Sequence, residues 1–70
     1  MIEIGAKYRH YKGGLYEVIG IAKHSETLED MVVYRPLYDD SGLWARPARM
    51  WEETVGGKPR FEKIDTATDL

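Results

Sequence analysis

The stretch YRHYKGGLYEVIGIAKHSET, residues 8–27, places Gly13-Gly14 between two runs rich in tyrosine, valine and isoleucine. Short β-favouring runs on either side of a glycine pair read as a β-hairpin. Its register has two readings. A loop of Gly13 and Gly14 alone sets Tyr11 against Tyr16, Arg9 against Val18 and His10 beside Glu17. A bulged loop that takes in Lys12 sets His10 against Tyr16 and Tyr8 against Val18. The second is preferred because it keeps Tyr8 rather than Arg9 beside Val18 on the inward face, and a small core cannot hold an unpaired guanidinium cheaply. His10 is then half-buried.

Outward from this hairpin, Asp39-Asp40-Ser41-Gly42 and Gly56-Gly57-Lys58-Pro59 punctuate further short apolar runs. The spacing predicts strands over about 7–12, 15–24, 31–38, 43–47 and 60–64. The second strand is too long to stay straight in a small barrel, and Gly20 at its middle is the expected bend. Ser25 to Asp30 favours local side-chain bonds to backbone amides, so a loop with one helical turn, capped by Ser25 or Thr27, is expected there. Pro47 has the φ of a first helical position, and one such turn carries Met50 and Trp51 to the barrel end as a plug. The fold class expected is therefore all-β: a small SH3-like five-stranded barrel with one short 3-10 turn, spanning residues 1–64, with a flexible tail over 65–70.

A chain of 70 residues has room for one domain and buries only about 60% of the surface its unfolded form exposes. The core is thin, and there is no cysteine to staple it. A cysteine-free chain fits a cytoplasmic location, and no apolar run approaches the roughly 20 residues of a membrane span. The formal net charge of −2 disfavours nonspecific nucleic-acid binding. The charge is unevenly spread, since residues 26–40 hold Glu26, Glu29, Asp30, Asp39 and Asp40 against Arg35, while residues 43–51 hold Arg46 and Arg49 with no acid.

The motifs Tyr8-Arg-His-Tyr-Lys-Gly13, Tyr16-Glu-Val18, Ala22-Lys-His-Ser-Glu-Thr27, Val32-Val-Tyr-Arg35, Leu43-Trp-Ala-Arg-Pro47 and Met50-Trp51 occur in this order. Together they resemble a family of short bacterial proteins of unknown function, over about residues 6–64. The resemblance implies a small bacterial β-barrel domain and brings no activity with it.

The histidines make a weak case for catalysis. His24 and Ser25 are sequential, so in extended chain their side chains point apart, and pairing His10 or His24 with Glu17 or Glu26 as acid and base would need a pocket deeper than this chain offers. No catalytic residue and no cofactor is expected. Two isolated histidines without thiols do not make a zinc site either, so no metal is expected. The expected role of His10 is a satisfied barrel histidine, and that of His24 a strand-end ring that bonds the following loop. The feature that points to function is the pair of strands three and four. Tyr34, Pro36 and Tyr38 alternate onto one face, as do Trp44 and Arg46 on the next strand. If those faces coincide, Tyr34, Tyr38, Trp44 and Arg46 form a ring-and-guanidinium surface suited to an extended peptide or a protein. The bland alternative is that the same rings fill the core. The expected function is a noncatalytic protein-binding module, with a nucleic-acid-binding barrel as the alternative if Arg9, Lys12, Lys23, Arg46 and Arg49 converge on one face. A small hydrolase-like enzyme using His10 or His24 is the third.

Overall fold

The computed structural model describes residues 2–64, and the tail expected over 65–70 lies outside the described residues. Five strands form one antiparallel sheet: β1 (Lys7–His10), β2 (Leu15–Lys23), β3 (Asp30–Pro36), β4 (Trp44–Pro47) and β7 (Phe61–Ile64), in the order β4-β3-β2-β1-β7. A small hairpin of β5 (Thr54–Val55) and β6 (Lys58–Pro59) turns at Gly56-Gly57, as the sequence led us to expect. The fold is all-β apart from one short helix, α1 (Ala48–Trp51), set between β4 and that hairpin.

The β1–β2 turn differs from both expected registers. His10 N–H donates to the Gly14 carbonyl (2.8 Å) and Gly13 N–H to the His10 carbonyl (2.7 Å), so Tyr11, Lys12 and Gly13 make the loop. Gly13 takes φ +107°, open to a residue without Cβ. Tyr8 consequently faces Tyr16, not Val18, and Val18 bonds Ala6 instead. The slip relative to the bulged register is two residues. Because side chains alternate with period two, a two-residue slip leaves every face unchanged: Tyr8 and Val18 are both buried, and His10 is half-buried.

β2 carries a bulge between Val18 and Gly20, where Ile19 is the unpaired residue. The bend expected at Gly20 thus falls one residue earlier, and it divides a strand of 9 residues in two. Its first half pairs with both β1 and β3, whereas the half beyond Gly20 pairs with β3 alone. Val18 and Val32 are fully buried beside the bend. In the turn that follows, His24 replaces Ser25 and Thr27 as the capping residue. Its Nδ1 accepts the N–H groups of Glu26 (3.1 Å) and Thr27 (3.3 Å), while Thr27 Oγ1 accepts from Glu29 N–H (3.3 Å). Ser25 lost the role because the ring of His24 reaches those amides from the strand end.

Pro47 is the N-cap of α1 rather than its first helical residue, with φ −52° and ψ 136°. Glu52 N–H reaches the Ala48 carbonyl at 3.3 Å, an i to i+4 bond, so the turn is α-helical where a 3-10 turn was expected. Its plug is Trp51. That ring is 2% exposed, stacks on Phe61 at 3.7 Å with planes 2° apart, and meets the edges of Tyr8 and Tyr34. Met50, expected to be the buried member, is half-buried. Tyr8, Val18, Val32, Tyr34, Trp51 and Phe61 make the core. Edge strands β4 and β7 share no ladder among the described residues. Side chains span the gap between them instead, since the Arg46 guanidinium of β4 lies 5.6 Å from the ring centroid of Phe61 on β7.

Candidate functional site

The ladder fixes which of the expected site residues can meet. Tyr34 lies directly opposite Trp44, and Val32 opposite Arg46, so the ring-bearing faces of β3 and β4 do coincide. They do not form one continuous ledge. Tyr34 is only 5% exposed and meets Tyr16, Trp51 and Phe61 edge to face, so its ring belongs to the core. Tyr38 and Trp44 are 62% and 53% exposed, and Leu43 between them in sequence is 65% exposed. The surface is therefore the 37–43 loop and the start of β4, backed by Tyr34 from within.

Two side-chain bonds hold this surface in shape. Trp44 Nε1–H donates to Ser41 Oγ at 3.1 Å, anchoring the indole while leaving its ring open. The Tyr38 and Tyr16 hydroxyls are 2.9 Å apart, and that bond, followed by burial, pushes the Tyr16 phenol up to about 12. Gly14 is why the two rings can lie over the first hairpin. A Cβ there would stand 3.2 Å from Cε1 of both Tyr16 and Tyr38, tighter than van der Waals contact.

Arg46, the polar member, is half-buried. Its Nε is buried and has no hydrogen-bond partner among the described residues, although its guanidinium faces Phe61. Phe61 is the ladder partner of His10, whose ring centroid lies 4.9 Å away. His10 Nδ1 accepts the Lys12 N–H at 3.2 Å, so in the neutral ring the proton sits on Nε2. Burial, then the charges of Arg46, Arg60 and Lys12, lowers the His10 pKa from its ordinary value. His10 also helps line a cavity of about 360 Å³ with Arg9, Tyr11, Lys58, Pro59 and Glu62, at the end of β1 and the start of β7 beside β6.

The basic residues fall into two groups. Lys23, Arg35, Arg49, Arg60 and Lys63 each pair with a carboxylate, at 2.6 to 3.2 Å. Lys7, Arg9, Lys12, Arg46 and Lys58 have no such partner among the described residues; Arg9 and Lys58 line the cavity that His10 borders, Arg46 and Lys12 act on its charge, and Lys7 does neither. Of the five cations named for a nucleic-acid face, Arg9, Lys12 and Arg46 therefore gather, while Lys23 and Arg49 are engaged by Asp30 and Glu29. Lys58 was missed by sequence reasoning because it comes from a hairpin distant in sequence. Tyr16 and Leu43 were missed too; the alternation of Tyr16 with Val18 was the available signal.

No histidine bonds a carboxylate among the described residues. Glu17 pairs with Arg35 at 2.6 Å on the outer face, away from His10, and His24 Nδ1 is taken by backbone. Among the described residues no three His, Cys, Asp or Glu side chains cluster as a metal site requires. None of the described helices is long and apolar enough to cross a membrane.

Fold and site together define a small all-β domain: a five-stranded antiparallel sheet with a helical plug and exposed rings at one end, near cations that have no carboxylate partner among the described residues. The chain belongs to the family described as "Protein of unknown function (DUF1653)", whose model matches residues 6–63. It is similar to the crystal structure of a DUF1653 protein from Bordetella bronchiseptica, with 41% identity over 89% of this chain and 87% of that one and a TM-score of 0.77. No curated protein matches it.

Proposed function

We propose that the domain is a noncatalytic, SH3-like protein-binding module of the bacterial cytoplasm that holds an extended peptide segment against Tyr38, Leu43, Trp44 and Arg46. The cysteine-free chain suits a reducing compartment. The observation that carries the reading is the run of large apolar side chains left open at the 37–43 loop and the start of β4, next to an arginine with an unsatisfied Nε. Rigid rings give contact area at low entropic cost, and Trp and Arg are the residue types that most often dominate interface energy. Tyr34 contributes from behind, as the buried support of Tyr16 and opposite Trp44 in the ladder.

Panning a random dodecapeptide phage library against the folded domain tests this. Enriched peptides should lose roughly thirtyfold in affinity on Trp44→Ala, an effect of about 2 kcal/mol, while the circular-dichroism spectrum stays native because the ring is exposed. A library that yields no binder, or binders indifferent to Trp44→Ala, would refute the reading.

A further inference from the structure

The cations around His10 remain to be accounted for. A chain with net negative charge has carboxylates to spare, and it uses them on Lys23, Arg35, Arg49, Arg60 and Lys63. Among the described residues, none pairs with Arg9, Lys12, Arg46 or Lys58. Arg46 stands on the inner face against Phe61, whose ring also meets His10, Lys12 lies in the turn, and Arg9 and Lys58 line the cavity that His10 borders. His10 presents no acceptor to this space, since its Nδ1 is occupied by the Lys12 amide and its Nε2 bears the proton. Glu62 is the one carboxylate lining the cavity, and it makes no ion pair with Arg9, its ladder partner. Burial first, and then the charges of Arg46, of Arg60, itself paired with Glu53, and of Lys12, lower the His10 pKa.

From this charge complementarity we infer that the bound peptide is acidic, with Asp or Glu side chains received by Arg46, Arg9 and Lys58 around His10 while its apolar residues lie on Trp44 and Leu43. The inference rests on the peptide-binding reading and specifies its partner. Guanidinium and carboxylate match as charge-assisted hydrogen-bonding groups. A polynucleotide fits less well. Asp39 and Asp40 line a cleft with Leu43, so a phosphate backbone following the 37–43 loop would meet carboxylates, whereas a peptide can set apolar residues there and its acids at Arg46.

The same dodecapeptide selection, followed by anisotropy titrations of the enriched peptides and of fluorescein-labelled oligo-dT, decides the matter. The expected result is enriched peptides with Asp or Glu near an apolar residue, whose affinity falls tenfold or more when that acid becomes Asn or Gln, and falls likewise on Arg46→Gln. Arg9→Gln and Lys58→Gln, at exposed positions, should each weaken binding several-fold and flatten its salt dependence, and they serve if Arg46→Gln disturbs the fold. Peptides without acids that still need Trp44 would overturn this inference and leave the peptide-binding reading standing. Failure to enrich any peptide, with oligo-dT bound through Arg46 instead, would overturn both.

Discussion

His10 shows how a single residue acquires its properties from neighbours that are remote in sequence. Its half-burial follows from alternation within β1, but the charges that act on it come from β4, from the residue before β7 and from the turn. Its native pKa lies below 6.5, with burial as the first cause and Arg46 the second. Above pH 6.5 the ring is neutral in both folded and unfolded chains. As pH falls through 6.5 the unfolded chain takes up the proton first, so stability drops until pH passes the lowered native midpoint, and then levels. Protonation of Nδ1 also ends its acceptance of the Lys12 amide. A carbon-detected NMR titration should place the His10 midpoint below 6.5 and show it move upward in Arg46→Gln. A midpoint at or above 6.5 in the unaltered protein would contradict this account.

At the scale of elements, α1 matters most for its size. Its 4 residues are too few to be stable alone, so the helix exists because Trp51 docks. Trp51→Ala should cost about 3–5 kcal/mol, a large share of the roughly 5–15 kcal/mol that holds a domain together. Met50→Ala, at a half-buried position, should cost clearly less. Urea midpoints measured for both variants check the ordering, and a larger loss from Met50→Ala would mean that the plug is misassigned. The β2–β3 turn makes a related point. The Glu26 and Thr27 amides there are held by the ring of His24, as expected of a strand-end ring, and the Glu29 amide by the Thr27 hydroxyl, while Ser25 takes no part. Leu28 meanwhile adopts φ +63° with an exposed side chain, a conformation imposed by the turn and not preferred by leucine.

For the whole molecule, stability should grade outward from β2 and β3. These two strands share the longest ladder and bury Val18 and Val32 completely, whereas β4 and β7 are ladder edges joined to each other through Arg46 and Phe61. Amide hydrogen exchange should therefore be slowest for β2–β3 amides around Val18 and Val32, and faster by an order of magnitude or more for β4. Equal protection across the sheet would argue that the β4–β7 gap is closed by hydrogen bonds after all. The same asymmetry places the candidate site on the less protected side, where the start of β4 and its loop can adjust to a ligand.

The local pattern of residues determined a great deal of this protein. Strand positions, the Gly56-Gly57 turn and the inward faces of Tyr8 and His10 follow from turn chemistry and a period of two, which act within a few residues. Face assignments survived even though the first hairpin was misregistered, because the slip was an even number. What the sequence left open was which rings of one face are core and which are surface. Tyr34 and Trp44 are ladder partners with the same facing, yet one is buried and the other half-exposed. That outcome depends on where Trp51 and Phe61 arrive to cover the sheet, and only the tertiary structure decides it. The gathering of Arg9, Lys12, Arg46 and Lys58 around His10 is of the same kind. Pairing of distant strands and the fold of a second hairpin bring them together, and no periodicity along the chain encodes that meeting.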